Sequence, residues 1–392
     1  MTAEENVERP PPRIRLGMIG GGEGAFIGAV HRIAARLDDR YEFVAGALSS
    51  TPDKARRSAA ALGLAPARSY ADVHEMLAAE VVRPDGIEVA AIVTPNHLHA
   101  PAALACLKAG VHVICDKPLT TALSKALELR AAATASNRIF AVTYNYSGYP
   151  LVRHARDMIA AGELGDLRLV QVQYAQDWLT EPVEATGQKQ ADWRTDPTRS
   201  GPGGCIGDIG THAFQLAHFV VGVQPQSLLA DLSTFVADRR VDDNAQVLLR
   251  YENGARGALW ASQVAPGNEN NLTLRMYGSK GGIEWRQEHP NQLSWTPFSA
   301  PTRIITRGTK DVNTAGARVT RIPAGHPEGY LEAFATIYSE VAAAITAHRS
   351  GVGSGAGVLF PGIDDGVAGV AFVDAAVRSS REGGVWVALD AM

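Results

Sequence analysis

The sequence predicts an α/β protein in which a doubly wound parallel sheet is followed by an α+β domain with a large, open, mostly antiparallel sheet. Three observations carry that expectation. From Arg13 to about Thr143 short β-rich apolar runs alternate with alanine-rich stretches of helical period, the pattern of βαβ units. A glycine triplet, Gly20-Gly21-Gly22, directly follows the first run. Beyond Pro150 the texture changes to strand-length runs broken by turn signals, as in antiparallel sheets. A chain of 392 residues is long enough for two domains, each with its own core. The expected division is a disordered lead-in at 1–12, a first domain at 13–145 and a second at 146–392.

In the first domain the expected strands are Ile14–Ile19, Phe43–Leu48, Val89–Val93, Val111–Cys115 and Phe140–Thr143. Between them Val30–Leu37, Pro52–Leu62, Tyr70–Ala78, Ala100–Ala109 and Ser124–Thr134 read as helices, several opened by Ser, Thr, Asp or Pro. In the second domain Leu151–Ala161 is a helix stopped by Gly162, and Leu167–Tyr174 is a strand. A Gly/Pro-rich stretch runs to Gly210 and leads into a helix through Phe219. From Ser227 to Trp295 strands are separated by turns such as Glu252-Asn253-Gly254 and Gly278-Ser279-Lys280-Gly281. Ala300–Ala324 has no clear period and is expected to be an excursion or lid. Tyr330–Ala347 is a helix, Gly351–Gly357 a flexible loop, and Gly366–Ser379 the last helix.

Hydrophobic residues make up 46% of the chain and charged residues 20%, with a net charge of -4. Such a surface offers no basic field for nucleic acid or an anionic membrane. Apolar runs such as Val89–Val93 and Phe219–Val223 fall far short of the roughly 20 residues that span a bilayer. Met1–Arg15, with Glu4, Glu5, Glu8 and three consecutive prolines, does not read as a secretory leader. Three widely spaced cysteines, Cys106, Cys115 and Cys205, lack zinc-site spacing. A reducing, cytoplasmic setting and no structural metal are expected.

Gly20 and Gly22 stand where a strand turns into a helix, the place at which backbone amides and a helix N-terminus receive a dinucleotide pyrophosphate. The usual spacing puts Ala25 third, and Gly28 takes that role only in a loop several residues longer; a plain joining turn is the alternative. At the second strand's tip, Leu48-Ser49-Ser50-Thr51 stands where an Asp or Glu normally accepts the ribose hydroxyls. Ser49, Ser50 and Lys54, with Arg56 and Arg57 beyond, suit NADP slightly better than NAD, although the same residues suit a helix-capping turn with a solvated basic face. NAD and NADP both stay open.

Two further loops lie at the carboxyl ends of later strands, where ligands collect in open α/β sheets. Thr94-Pro95-Asn96-His97-Leu98-His99 follows the third strand and Asp116-Lys117-Pro118-Leu119 the fourth. Thr94, Asn96, His99 and Asp116 are expected to meet the cofactor. Lys117 is either a surface lysine or a cation that holds a substrate oxygen. In the run Gly203-Gly204-Cys205-Ile206-Gly207-Asp208-Ile209-Gly210-Thr211-His212, Asp208 and His212 are four apart and would share a helix face. A histidine with a pKa of about 6.5 suits a dehydrogenase that must take a hydroxyl proton. The plainer reading makes Asp208 a helix cap and His212 a partly buried histidine.

Together the Gly20–Gly22 turn, Thr94-Pro95-Asn96, Asp116-Lys117-Pro118 and the Gly203–His212 run resemble the glucose-fructose oxidoreductase, inositol dehydrogenase and MocA family. The resemblance is specific from about Ile14 to Phe219. It extends more loosely to the C-terminus through the layout and His326-Pro327-Glu328-Gly329-Tyr330. It implies a Rossmann domain followed by a substrate-binding domain whose open sheet often forms an oligomer interface, hence a homo-oligomer, dimer or tetramer. It also implies that Lys117, Asp208 and His212 are the catalytic residues: His212 the general base, Asp208 its assistant and Lys117 the group that binds the reacting hydroxyl. Asp116 replaces the family's usual Glu before the lysine, and the glycine loop is longer.

Family members act on inositols, sugars, glycosides and small diols, so the motifs alone select no substrate. Trp193 and Arg194 offer an aromatic face with a cation, and Trp178, Tyr144, Asn145 and His326 are expected to join them, although a polar surface loop accounts for the same residues. The leading expectation is a dehydrogenase of a cyclic polyol or sugar. Its rival is a redox-neutral glycosidase with tightly held NAD acting on a neutral or acidic glycoside. A non-catalytic sensor is a third class, disfavoured because Lys117, Asp208 and His212 are all present.

Overall fold

The computed structural model describes residues 12–351 and 357–389. The lead-in up to residue 11 and most of the Gly351–Gly357 loop lie outside the described residues. The first sheet is parallel, five-stranded and ordered β2-β1-β3-β4-β5, with β1 at Ile14–Gly20, β2 at Tyr41–Ala47, β3 at Val89–Val93, β4 at His112–Cys115 and β5 at Phe140–Val142. Every residue of β3 and β4 is buried, because helices cover both faces, and this is why their sequences read as unbroken apolar runs. Those helices are α1 (Phe26–Leu37), α2 (Pro52–Ala61), α3 (Val73–Glu80), α4 (His99–Lys108) and α5 (Leu123–Ser136). Asp72 caps α3 by accepting from the amides of His74 and Glu75, which moves its start beyond the expected Tyr70. The register pairs Gly20 with Val93, Ile92 with Cys115 and Cys115 with Val142. The loops after β1, β3, β4 and β5 therefore line one edge.

The second domain opens with α6 (Pro150–Ala160) and β6 (Leu167–Ala175), then two short helices, α7 (Lys189–Arg194) and α8 (Pro197–Ser200). A π-helical turn at Ile206–Gly210 runs into α9 (Thr211–Val221). The strands that follow are β7 (Pro225–Ser233), β8 (Asn244–Tyr251), β9 (Arg256–Ser262), β10 (Asn271–Gly278), β11 (Gly281–Arg286), β12 (Gln292–Pro297) and β13 (Arg303–Thr306). After α10 (Thr314–Arg318), α11 (Tyr330–Arg349) and α12 (Ile363–Arg381), β14 (Val387–Ala388) completes a nine-stranded sheet ordered β13-β12-β11-β10-β6-β9-β8-β7-β14. All its pairings are antiparallel except β6 with β9. Buried and exposed residues alternate along β8, the mark of a sheet with one packed and one open face.

The last two helices turn back to the first domain. Phe334, Ile337, Tyr338 and Val341 of α11 share a core with Leu16 and Met18 of β1. Tyr338 hydroxyl lies 2.8 Å from His31 Nδ1, and its carbonyl accepts from Tyr41 at 2.7 Å. From α12, Val367 and Val370 pack into the first domain while Phe372 packs into the second.

Ala300–Ala324 is not a lid. It contains β13 and α10, and Arg307 at its centre is buried, donating to Glu328 at 2.8 Å and to the carbonyls of Ile322 and Pro323. Arg321 ties the same segment to Asp38 beside α1. Among the described residues, no helix is long and apolar enough to cross a membrane and no cluster of His, Cys, Asp or Glu is placed to share a metal ion.

One buried ion pair joins α6 to α11: both side chains of Arg153 and Glu340 are withdrawn from water. Arg153 also donates to the Ser147 carbonyl at 3.0 Å, and Glu340 accepts from the Leu359 amide at 2.9 Å. Arg153→Met leaves a buried carboxylate short of its main partner and is expected to cost about 3–5 kcal/mol. Arg153→Met with Glu340→Leu should recover part of that loss; urea denaturation midpoints measure both.

Candidate active site

The turn after β1 is pressed from three sides. Gly20 and Gly21 have φ of +82° and +74°, a region that favours glycine. A Cβ on Gly21 would lie 2.7 Å from Val93 Cγ2, and one on Gly22 would lie 2.6 Å from the Leu48 carbonyl oxygen. Gly22 N donates to Leu48 O at 3.2 Å and Glu23 N to Ser58 Oγ at 3.0 Å. A Cβ on Gly28 would stand 2.4 Å from Gly21 Cα, so Gly28 rather than Ala25 allows the helix to close on the turn. The loop is longer than usual because Ala25 only precedes the first helical residue, Phe26. Thr94 Oγ1, next to Gly20 on the cleft wall, is buried without a hydrogen-bond partner. A backbone cradle with an unsatisfied hydroxyl beside it fits a dinucleotide.

The other cofactor candidates separate. Asp116 Oδ1 accepts from the Lys117 amide and from Thr143 Oγ1, both at 2.9 Å, and lines the cleft. Asn96 also lines it and donates to the Ser200 carbonyl at 3.2 Å, fastening the first domain to α8. His99 does not reach the cleft: it is buried, with Nδ1 2.8 Å from Pro118 O and Nε2 2.9 Å from Thr94 O, and braces the two loops. Ser49 is half-buried and Ser50 exposed, and neither they nor Lys54 line the cleft or the groove beside it formed by Gly22–Phe26, Arg57 and Ser58. Of the cations beyond, Arg56 pairs with Asp53 and Arg57 with Glu23.

Lys117 and Asp208 meet across the domain boundary. Lys117 Nζ donates to Asp208 O at 2.7 Å and to Asp208 Oδ1 at 2.9 Å. The second carboxylate oxygen accepts from Gln263 Nε2 at 2.9 Å and lies 3.4 Å from Arg194 Nε. Burial acts to raise the Asp208 pKa, but Lys117 and then Arg194 outweigh it, and the carboxyl is held well below its usual range. No hydrogen bond joins Asp208 to His212, its expected partner on the same helix face. A π-helical turn, wider than an α-turn, separates them, and Asp208 is directed to Lys117 instead.

His212 lines the cleft, with its Nδ1 buried and unpartnered. Burial and then the Lys117 charge push its pKa well below 6.5, against the pull of Asp208. The imidazole is therefore neutral at neutral pH. Three tyrosine rings surround it: Tyr146 at 4.9 Å, Tyr144 at 5.8 Å and Tyr174 at 6.2 Å between centroids.

These groups open on a cleft of about 740 Å³. Of the substrate candidates, Trp178, Trp193, Arg194 and Asn145 line it. Arg194 lies over the Trp193 ring, 4.3 Å from the centroid. Asn145 Nδ2 is buried and without a partner. Two substrate candidates do not line it: Tyr144 is fully buried behind His212 with its hydroxyl 3.0 Å from Thr211 Oγ1, and His326 is exposed on the surface. Sequence reasoning missed Tyr146, Tyr174, Gln176, Gln263, Asn270 and Gln287. Most stand at the ends of β6, β9 and β10, which the register aligns through the Ala175–Ser262 and Ala175–Asn271 pairs. Their strands alternate like any others, so nothing local marks the residue that reaches the cleft.

Fold and site together define an NAD-binding oxidoreductase: residues 14–144 match the model of the oxidoreductase family with an NAD-binding Rossmann fold. Residues 152–284 match the GFO/IDH/MocA C-terminal domain. An oxidoreductase from Sinorhizobium meliloti is 54% identical with a TM-score of 0.88, over 96% of this chain and 99% of that one. An inositol dehydrogenase homolog from Azotobacter vinelandii, in complex with NADH and myo-inositol, is 39% identical with a TM-score of 0.90, over 96% and 98% of the two chains. The uncharacterized oxidoreductase YfiI of Bacillus subtilis is 35% identical over 99% of each chain. The chain belongs to the glucose-fructose oxidoreductase, inositol dehydrogenase and MocA family.

Gly28→Val forces the first helix away from the glycine turn. NADH affinity, read by fluorescence titration, is expected to fall at least tenfold with an unchanged far-ultraviolet spectrum; unaltered affinity contradicts the assignment of Gly28.

Proposed function

We propose that the protein is an NAD-dependent dehydrogenase acting on a ring hydroxyl of a neutral cyclic polyol or sugar. The observation that carries this reading is the convergence of Lys117 and the neutral His212 on one cleft, beside the glycine turn that holds a dinucleotide. The nicotinamide, when bound, accepts the hydride. Oxidation also needs a group to take the hydroxyl proton, and His212, neutral and on the cleft wall with its Nδ1 buried, presents a free base. Lys117 has three N–H donors. Asp208 takes two of them, and the third is directed to the substrate oxygen, whose developing negative charge the ammonium stabilises.

The cleft wall supports the substrate class. The unpartnered Asn145 Nδ2 and the second amide hydrogens of Gln176 and Asn270 remain to donate to ring hydroxyls, and Glu269 on the same wall can accept from them. Trp178 and Trp193 provide apolar faces for the C–H surfaces of a ring. Arg194 is engaged by Asp208 and Arg199 by Asp192, and two further charges on the wall, Lys189 and Glu269, are of opposite sign, which favours a neutral ring over an acidic one. The A. vinelandii relative was crystallised with NADH and myo-inositol. That NADH complex supports NAD over NADP.

Turnover of NAD with myo-inositol and a panel of neutral sugars tests the reading. Lys117→Met and His212→Ala are each expected to lower kcat by ~100-fold or more with little change in NADH affinity; near-normal turnover in both contradicts it. Because His212 must be unprotonated and its pKa is lowered, kcat/KM for oxidation should hold steady down to pH 6.5 and fall only below it. An acid limb centred above pH 6.5 argues against His212 as the base.

A further inference from the structure

On the reading of His212 as the proton acceptor, we propose that Tyr146 is its positioning residue, fixed in turn by Tyr174 and Asn270. A histidine that works from one ring nitrogen is ordinarily oriented by a hydrogen bond at the other. Here Nδ1 is buried with no partner. The carboxylate that would be expected to serve it, Asp208, is occupied by Lys117, Gln263 and Arg194. The ring is held by shape instead. Tyr146 meets it edge to face at 76°, and Tyr144 does so at 83°, arrangements that set the positive edge of one ring against the negative face of another.

Tyr144 is locked on the far side through Thr211. Tyr146 stands on the cleft side, and its own position is set by a directed hydrogen-bond chain. Asn270 Oδ1 accepts from Tyr174 hydroxyl at 2.7 Å and from Gln176 Nε2 at 2.8 Å. Since the Tyr174 hydrogen is spent there, Tyr146 must donate to Tyr174, at 2.6 Å. Asn270 Nδ2 donates onward to Gln287 Oε1 at 3.2 Å. The charged groups facing His212 are Lys117 from the loop after β4 and Asp208 from the π-helical turn, with Arg194 of α7 behind Asp208. The tyrosines stay neutral, since burial raises all three. Tyr146 thus orients the imidazole and keeps water from it, while Asp208 orients Lys117.

Full-length protein carrying ¹³C,¹⁵N-histidine tests this, with the His212 signals assigned by their loss in His212→Gln. In Tyr146→Leu the His212 titration midpoint is expected to move up by one unit or more, and kcat to fall over tenfold with KM little changed. Tyr146→Phe keeps the ring and should restore both to within threefold of wild type. Asp208→Asn should not move the midpoint upward, because it removes a negative charge. An unmoved midpoint in Tyr146→Leu overturns the proposal. So does a strongly deshielded His212 Nδ1 proton in the wild type that is lost in Asp208→Asn, which would show the carboxylate holding the ring; this reading needs no Tyr146 variant to fold. Full activity of His212→Gln would instead remove His212 as the proton acceptor, an outcome separate from the titration.

Discussion

The contact on which the site depends is the ion pair between Lys117 and Asp208, because each domain supplies one partner. Lys117 follows the end of β4 in the cofactor domain, and Asp208 lies in the turn that opens α9 in the other. A carboxylate withdrawn from water is costly unless its lone pairs are met. Here the Asp208 oxygens are met by Lys117, Gln263 and Arg194. The same contacts fix where the ammonium stands, and its charge adds to burial in lowering the pKa of the nearby His212, against the pull of Asp208.

For that contact to persist, the two domains must not drift. The C-terminal helices provide the restraint, since α11 packs into the core of β1 and α12 into both domains. Asn96 with Ser200, and Arg321 with Asp38, add polar fastenings across the boundary. The carboxyl-end edge of the parallel sheet is thereby set against the aligned ends of β6 and β9, with the cleft between them.

Much of this was legible in the chain. Alternating apolar runs gave all five strands of the first sheet to within a few residues, because burial on both faces leaves few polar residues to blur the period. Lys117, Asp208 and His212 lie in short, unusual motifs and do converge. Their pairing was not legible: five residues from Ile206 to Gly210 count the same in an α- or a π-turn, yet the wider turn sends Asp208 to Lys117. Tyr144 precedes a short 3₁₀ turn and Tyr146 lies within it; the first is buried behind His212 and the second reaches the cleft. His99 and His326 are polar residues near motifs, and only tertiary placement shows one to be a brace and the other a surface group. Gln263 and Asn270 belong to the site because strand ends far apart in sequence are brought level by register.

The central claim is that hydride leaves a ring carbon in this cleft while His212 takes the hydroxyl proton. Its most direct measurement uses myo-inositol and neutral sugars deuterated at the ring carbons, incubated with the full-length protein and NAD, followed by mass analysis of the nicotinamide. Reduced nicotinamide carrying one deuterium is expected, with the oxidised ring as the other product. Binding of NAD without deuterium transfer from any ring compound, or release of an aglycone with no net reduction, would contradict it.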